Sequence, residues 1–210
     1  MLAVEGVQKS FRRRFSLRPQ VNHVLRGVTF SLPRASIVGL VGENGSGKSV
    51  LMKIIAGLME ADGGSISLDG RLGYCPQEPL LYDKLTCEET FRLFGHAYGL
   101  EDGESESAAE KYFDLLDFSR FRGELVENLS GGTRQKLNLS IALMHEPSLL
   151  LLDEPYSGFD WETYLKFWEL TGSLRAAGTT VLIVSHFIEE QSHFDRIIHL
   201  KDGAIAGGES

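Results

Sequence analysis

Cysteine is scarce: the 210 residues contain two, Cys75 and Cys87, twelve positions apart. That number and spacing exclude a disulfide-stapled scaffold and the paired cysteines of a zinc site, and they point to a reducing, cytosolic compartment. No run of eighteen apolar residues occurs, and the opening "MLAVEGVQKS" lacks a basic segment followed by an apolar one. The chain is therefore expected neither to be secreted nor to span a membrane. Positive charge is in deficit, with 21 Lys plus Arg against 29 Asp plus Glu and a formal net charge of -8, which counts against nucleic acid as a partner. Repeats and low-complexity tracts are also lacking. The basic cluster of Arg12, Arg13, Arg14 and Arg18 is short and reads as a solvated face.

What is present is a 42% hydrophobic chain, enough for one sizeable core and a small subdomain. Short apolar runs, "VTFSL", "SIVGLVG", "RLGYC", "SLLLLD", "TTVLIVS" and "RIIHLKDG", alternate with amphipathic stretches. The later runs read as buried parallel strands, and the alternation predicts an α/β fold with a mainly parallel sheet. An antiparallel β portion is expected from the early strands and from the hairpin at "KDG". Between about residues 79 and 130 the strand signal vanishes. Thr86 with Glu89, and Ser107 with Glu110, stand at capping-box spacing and predict two helices joined by a polar surface loop, "GLEDGESES". The expected organisation is a core of residues 1–78 and 131–210 with an inserted α-helical subdomain, 79–130.

The strongest chemical signal is "GENGSGKS", between the strand "SIVGLV" and the helical "VLMKIIAGL". A loop that wraps its own amides round a phosphate chain needs glycine where a Cβ would block approach, and the helix that follows adds a positive end. Gly42, Glu43, Asn44, Gly45, Ser46, Gly47, Lys48 and Ser49, with Val50 behind them, are expected to cradle a nucleotide. Lys48 would reach the β- and γ-phosphates, and Ser49 would ligate Mg²⁺.

Two acidic residues, Asp153 and Glu154, end the leucine strand, where parallel sheets place their ligands. Asp153 suits Mg²⁺ held through water, and Glu154 suits proton abstraction from an attacking water. An acidic helix start is the alternative, but Pro155 and the residues before Trp161 put the next helix too far on. His186 follows "TTVLIVS" and is placed to touch the γ-phosphate or that water. A further motif is puzzling. "ENLSGGTRQKL" puts two glycines at a helix start, where Ser130 as N-cap explains the serine but not the glycines.

The motifs "GENGSGKS", "LSGGT", "LLLLDEP" and "YSGFD", with His186, resemble in order and spacing the ATP-binding cassette (ABC) ATPases, the nucleotide-binding subunits of ABC transporters. The resemblance covers nearly the whole chain, and "LSGG" upstream of the acidic strand is its most specific element. It implies a P-loop NTPase core that uses ATP and Mg²⁺, with Gln77 in the shell of metal and water and an aromatic residue, Phe11 or alternatively Phe15, stacked on adenine. It also implies a head-to-tail pair with a second copy or a homologous cassette. There Ser130, Gly131 and Gly132 would cover the partner's γ-phosphate, and Asp160 would couple the sites at the seam. Thr133, where glutamine is usual, and Phe159, where leucine is usual, are mild departures. The implied setting is cytoplasmic, beneath separate transmembrane permease subunits at the inner face of the membrane. The region after Gln77 would dock them, and export is the favoured direction. A soluble ABC ATPase acting on nucleic acid or ribosomes is the rival. Such proteins usually carry paired cassettes, long coiled-coil arms or cysteine clusters, which this sequence lacks.

Overall fold

A computed structural model describes residues 1–12, 21–185 and 192–206. Its first strands have one buried edge of side chains each, as half-solvated strands do. β1 (Leu2–Arg12) buries Leu2, Val4 and Val7 and pairs antiparallel with β2 (Val21–Leu32) on one side and with β4 (Gly63–Leu68) on the other. Register shifts interrupt β1 between Val4 and Val7 and again between Lys9 and Ser10. Such bulges break the period of two, and β1 and β4 are the strands that the sequence reading does not single out.

The second sheet has the order β5-β6-β7-β3-β8-β9. β5 (Leu72–Cys75), β6 (Leu149–Asp153), β7 (Thr180–Val184), β3 (Ile37–Val41) and β8 (Arg196–Lys201) run parallel, and β9 (Ala204–Ile205) turns back antiparallel. Because both faces are covered, β6 is apolar from Leu149 to Leu152, up to the Asp153 that ends it. Leu150 and Leu152 enter one hydrophobic cluster, with the helical subdomain and α5 (Trp161–Ala176), while Leu149 and Leu151 enter the other, with α1 (Lys48–Ile55) and the antiparallel sheet. Each fully buried leucine contributes about 2 kcal/mol of apolar burial, which fixes the height at which Asp153 leaves the sheet.

The segment expected to be helical carries α2 (Cys87–Tyr98) and α3 (Asp102–Leu115), and α4 (Gly131–Leu143) follows it. Thr86 and Glu89 form the reciprocal capping box expected of them. The second box differs. Glu101 caps α3 with Glu104 as its partner, so most of "GLEDGESES" is the helix's first turns and Ser107 lies inside it. A glutamate cap is not among the strong N-cap signals, whereas Ser107 is, and this misplaces the boundary by about a turn and a half. Both cysteines are free and buried, and burial pushes the Cys87 thiol up to about 11.

Candidate functional site

The carboxyl ends of β3, β5, β6 and β7 share one edge of the parallel sheet, and three of the predicted motifs leave from it among the described residues. After β3 the chain turns through residues 42–47, closed by a bond from Ser46 N to Glu43 O at 3.1 Å, and enters α1. Gly47 is the helix cap. Its φ of 106° lies in the left-handed region, and a Cβ there would come within 2.8 Å of Leu25 Cδ2, so only glycine serves.

Lys48 is buried and its ammonium bends back, donating to the carbonyls of Gly42 at 2.8 Å and Glu43 at 3.0 Å. Burial lowers its pKa, and the charges of Glu154 and Asp153 oppose that shift. Glu43, Asn44 and Gly45 are exposed at the tip, while the Val50 side chain packs on the core, which leaves only its amide for a ligand. Ser46 Oγ is buried without a hydrogen-bond partner among the described residues.

Asp153 is 2% exposed, and its Oδ1 is likewise unpartnered. Its pKa is raised, first by burial and also by Glu154, against a lowering hydrogen bond from Ser49 and the charges of Lys48 and Lys53. Orphaned buried polar atoms cost about 1 to 3 kcal/mol each, so two at one sheet edge mark a place built for something polar. Glu154 leaves the strand with a φ of 51°, in the left-handed region that an L side chain seldom adopts, and its N–H is tied to Val184 O at 3.2 Å. Its Oε2 accepts from Gln77 Nε2 at 3.0 Å. The structure therefore brings the loop, Lys48, Ser49, Gln77, Asp153 and Glu154 together. An all-oxygen set of a hydroxyl, an amide carbonyl and a carboxylate suits a hard cation such as Mg²⁺. His186 lies outside the described residues.

Phe11 is 41% exposed near the end of β1, opposite Asn22, with Lys9 Nζ 5.7 Å from its ring centroid. The adjoining part of β2, at Val24 and Leu25, touches Gly47, so the aromatic stands on the hairpin beside the loop. Phe15 is outside the described residues.

The signature turn stands apart. Ser130 caps α4, accepting from Thr133 N at 3.2 Å and sharing a bond with Thr133 Oγ1 at 2.9 Å, and among the described residues no hydrogen bond joins it to the loop. Ser130 and Gly131 are exposed. The two glycines part company here. A Cβ on Gly132 would lie 2.4 Å from Gly158 O, so this glycine has a packing reason inside its own chain, whereas a Cβ on Gly131 would meet nothing within 4 Å. The expectation that neither glycine has a folding reason is corrected for Gly132. Asp160 caps α5, its Oδ1 accepting from Thr163 N at 2.8 Å, which holds its carboxyl below the ordinary range. The Gly132–Gly158 contact sets the starts of α4 and α5 side by side.

No sequence signal singles out Tyr74, three residues before Gln77, whose hydroxyl is also buried and unpartnered among the described residues.

Comparison with known proteins gives a consistent answer. The family model described as "ABC transporter" matches residues 25–157. The chain is 32% identical to the linearmycin resistance ATP-binding protein LnrL of Bacillus subtilis, over 98% of this chain and 68% of that protein. It is 35% identical to the Nod factor export ATP-binding protein I of Sinorhizobium fredii, over 86% of this chain and 56% of that protein. Among solved structures, the dimeric ABC transporter cassette MJ0796 superposes with a TM-score of 0.89 at 26% identity, covering 99% of this chain and 97% of that one. The same cassette in a post-hydrolysis state bound to ADP and Pi gives 0.90 at 25% identity, covering 100% and 98%.

Proposed function

Because the chain belongs to the ABC transporter family of ATP-binding proteins, we propose that it binds and hydrolyses ATP as the motor subunit of an exporter, pairing head to tail with a second cassette. The observation that carries this reading is the convergence of Lys48, Ser49, Gln77, Asp153 and Glu154 at one sheet edge, with Ser46 Oγ and Asp153 Oδ1 unpartnered among the described residues. Export rests on relatives named for Nod factor export and linearmycin resistance.

The site residues divide the work by chemistry. The amides of residues 43–49 and the start of α1 face developing negative charge, and the Lys48 ammonium, held near the loop by two carbonyls, supplies a positive charge that costs little to reorganise. Ser49, Gln77 and Asp153 would hold Mg²⁺. When bound, the ion neutralises phosphate charge. Glu154 takes a proton from water as its oxygen bonds the γ-phosphorus. The bond from that phosphorus to the bridging oxygen breaks, releasing ADP and phosphate. Gln77 holds the Glu154 carboxylate in place through its amide N–H.

Ser130 and Gly131 are exposed and disengaged from this site, as a group that serves a neighbouring cassette must be. Closure would then be a population shift driven by contacts that exist only in the pair. Among the described residues no helix is long and apolar enough to cross a membrane. Just beyond Gln77, Leu80 and Tyr82 are 64% and 61% exposed, apolar surface that supports docking to a membrane subunit there.

The test is Glu154→Gln. We expect it to bind ATP, to lose about two to four orders of magnitude in phosphate release, and to accumulate as a dimer by light scattering when ATP and Mg²⁺ are present. Hydrolysis at the wild-type rate would overturn the assignment of Glu154.

A further inference from the structure

The parallel register sets Tyr74 of β5 opposite Leu151 of β6, two residues before Asp153. Residues two apart along a strand share a face, so Tyr74, Leu151 and Asp153 issue from the side of the sheet that α1 covers. Tyr74 packs there against the cluster containing Leu51, Met52 and Leu151. Its ring is accounted for by that packing, but its hydroxyl is not, because the oxygen is buried and bonds to nothing among the described residues. On the neighbouring strand Asp153 Oδ1 is buried in the same condition. One group is a donor in search of an acceptor and the other an acceptor in search of a donor. They feel each other electrostatically: burial pushes the phenol up, and the charge on Asp153 pushes it further, so the O–H stays protonated and able to donate.

We propose that Tyr74 is a positioning residue for the metal-holding carboxylate, its hydroxyl donating to Asp153 Oδ1 through one bridging water. This rests on the reading of Asp153 as a Mg²⁺ group. A hydrogen bond at Oδ1 restrains the carboxylate about its last torsion, and Ser49 lowers the pKa of the same carboxyl by a hydrogen bond. Tyr74 touches neither ATP nor the reacting water. Its effect is confined to how well the carboxylate is aimed, so it belongs to the Mg²⁺ requirement and not to nucleotide binding as such.

The experiment is a Mg²⁺ titration of binding of the non-hydrolysable analogue AMP-PNP, by calorimetry, on the wild-type chain and on Tyr74→Phe. The phenyl ring keeps the packing, and a thermal melt of both chains in the absence of Mg²⁺ checks the fold. Charge-assisted hydrogen bonds of this kind are worth about a tenfold change in an equilibrium constant. We therefore expect the Mg²⁺ concentration at half-effect to rise about tenfold, with affinity in EDTA unchanged. An unchanged Mg²⁺ midpoint would overturn the proposal. So would an equal loss of affinity in EDTA, which is the mark of a merely structural residue. A wild-type chain whose binding of the analogue ignores Mg²⁺ would instead sink the reading of Asp153 itself.

Discussion

Asp153 carries the chemical tension of the site. Its carboxyl titrates above the ordinary value of 3.8, chiefly because burial disfavours the charged form. The folded state thus keeps a proton that the unfolded chain releases. Stability falls as pH rises from 3.8 through the raised folded value, above which the ionised carboxylate carries the whole penalty. Asp153→Asn removes that charge without changing the shape. We expect its melting temperature at pH 7 to exceed the wild-type value by about 2 °C or more, with the difference shrinking as the pH is lowered toward 3.8. The same variant is expected to lose the Mg²⁺ dependence of nucleotide binding. A melting temperature lowered at pH 7 would mean that the bonds made to the carboxylate outweigh the cost of burying its charge, against the direction of its pKa shift. Glu154 shows a related strain in its backbone, with a positive φ at a residue that gains nothing from it sterically. Both features are those expected of a site that gives up some stability to hold a ligand.

The signature turn at the start of α4 separates folding from function within two adjacent positions. Gly132 abuts Gly158 O, so Gly132→Ala forces the starts of α4 and α5 apart and is expected to cost about 1 to 3 kcal/mol in denaturant titrations. Gly131 has open space, so Gly131→Ala is expected to fold and to gain up to about 1 kcal/mol from helix propensity, while weakening ATP-driven dimerisation of Glu154→Gln chains. If Gly131→Ala left dimerisation untouched, this glycine would have no role at the seam. The sequence shows that two glycines are costly here but not that they differ, because the Gly132–Gly158 contact joins residues that only the fold brings together. The same limit explains the other gaps. The loop, the leucine strand and the Thr86–Glu89 box are local patterns, written in consecutive residues, and each is readable as such. β1 hides behind its bulges, α3 begins on an unconventional cap, and Tyr74 matters only because β5 lies beside β6.

At the scale of the whole molecule, the decisive arrangement is a division of labour between two places. The edge that gathers Lys48, Asp153 and Glu154 has no hydrogen bond, among the described residues, to the exposed Ser130 that caps α4. In a head-to-tail pair each composite site takes its loop from one chain and its signature turn from the other, so two defective chains can repair each other. Lys48→Ala disables the loop, and Gly131→Glu, which has room to fold, disables the turn. A mixed dimer then holds one site defective in both halves and one site intact in both. Neither variant alone should hydrolyse ATP appreciably. With random pairing of equal amounts, half of the dimers are mixed and each has one working site of two, which predicts about a quarter of the wild-type rate if the sites turn over independently. Rate plotted against mixing ratio should peak at equal amounts and vanish at both ends. A flat line at background would show that each chain completes its own site, or that closure needs two intact sites. The dependence of the wild-type rate on protein concentration separates these outcomes, because only the first lets a chain with an intact loop and turn act as a monomer.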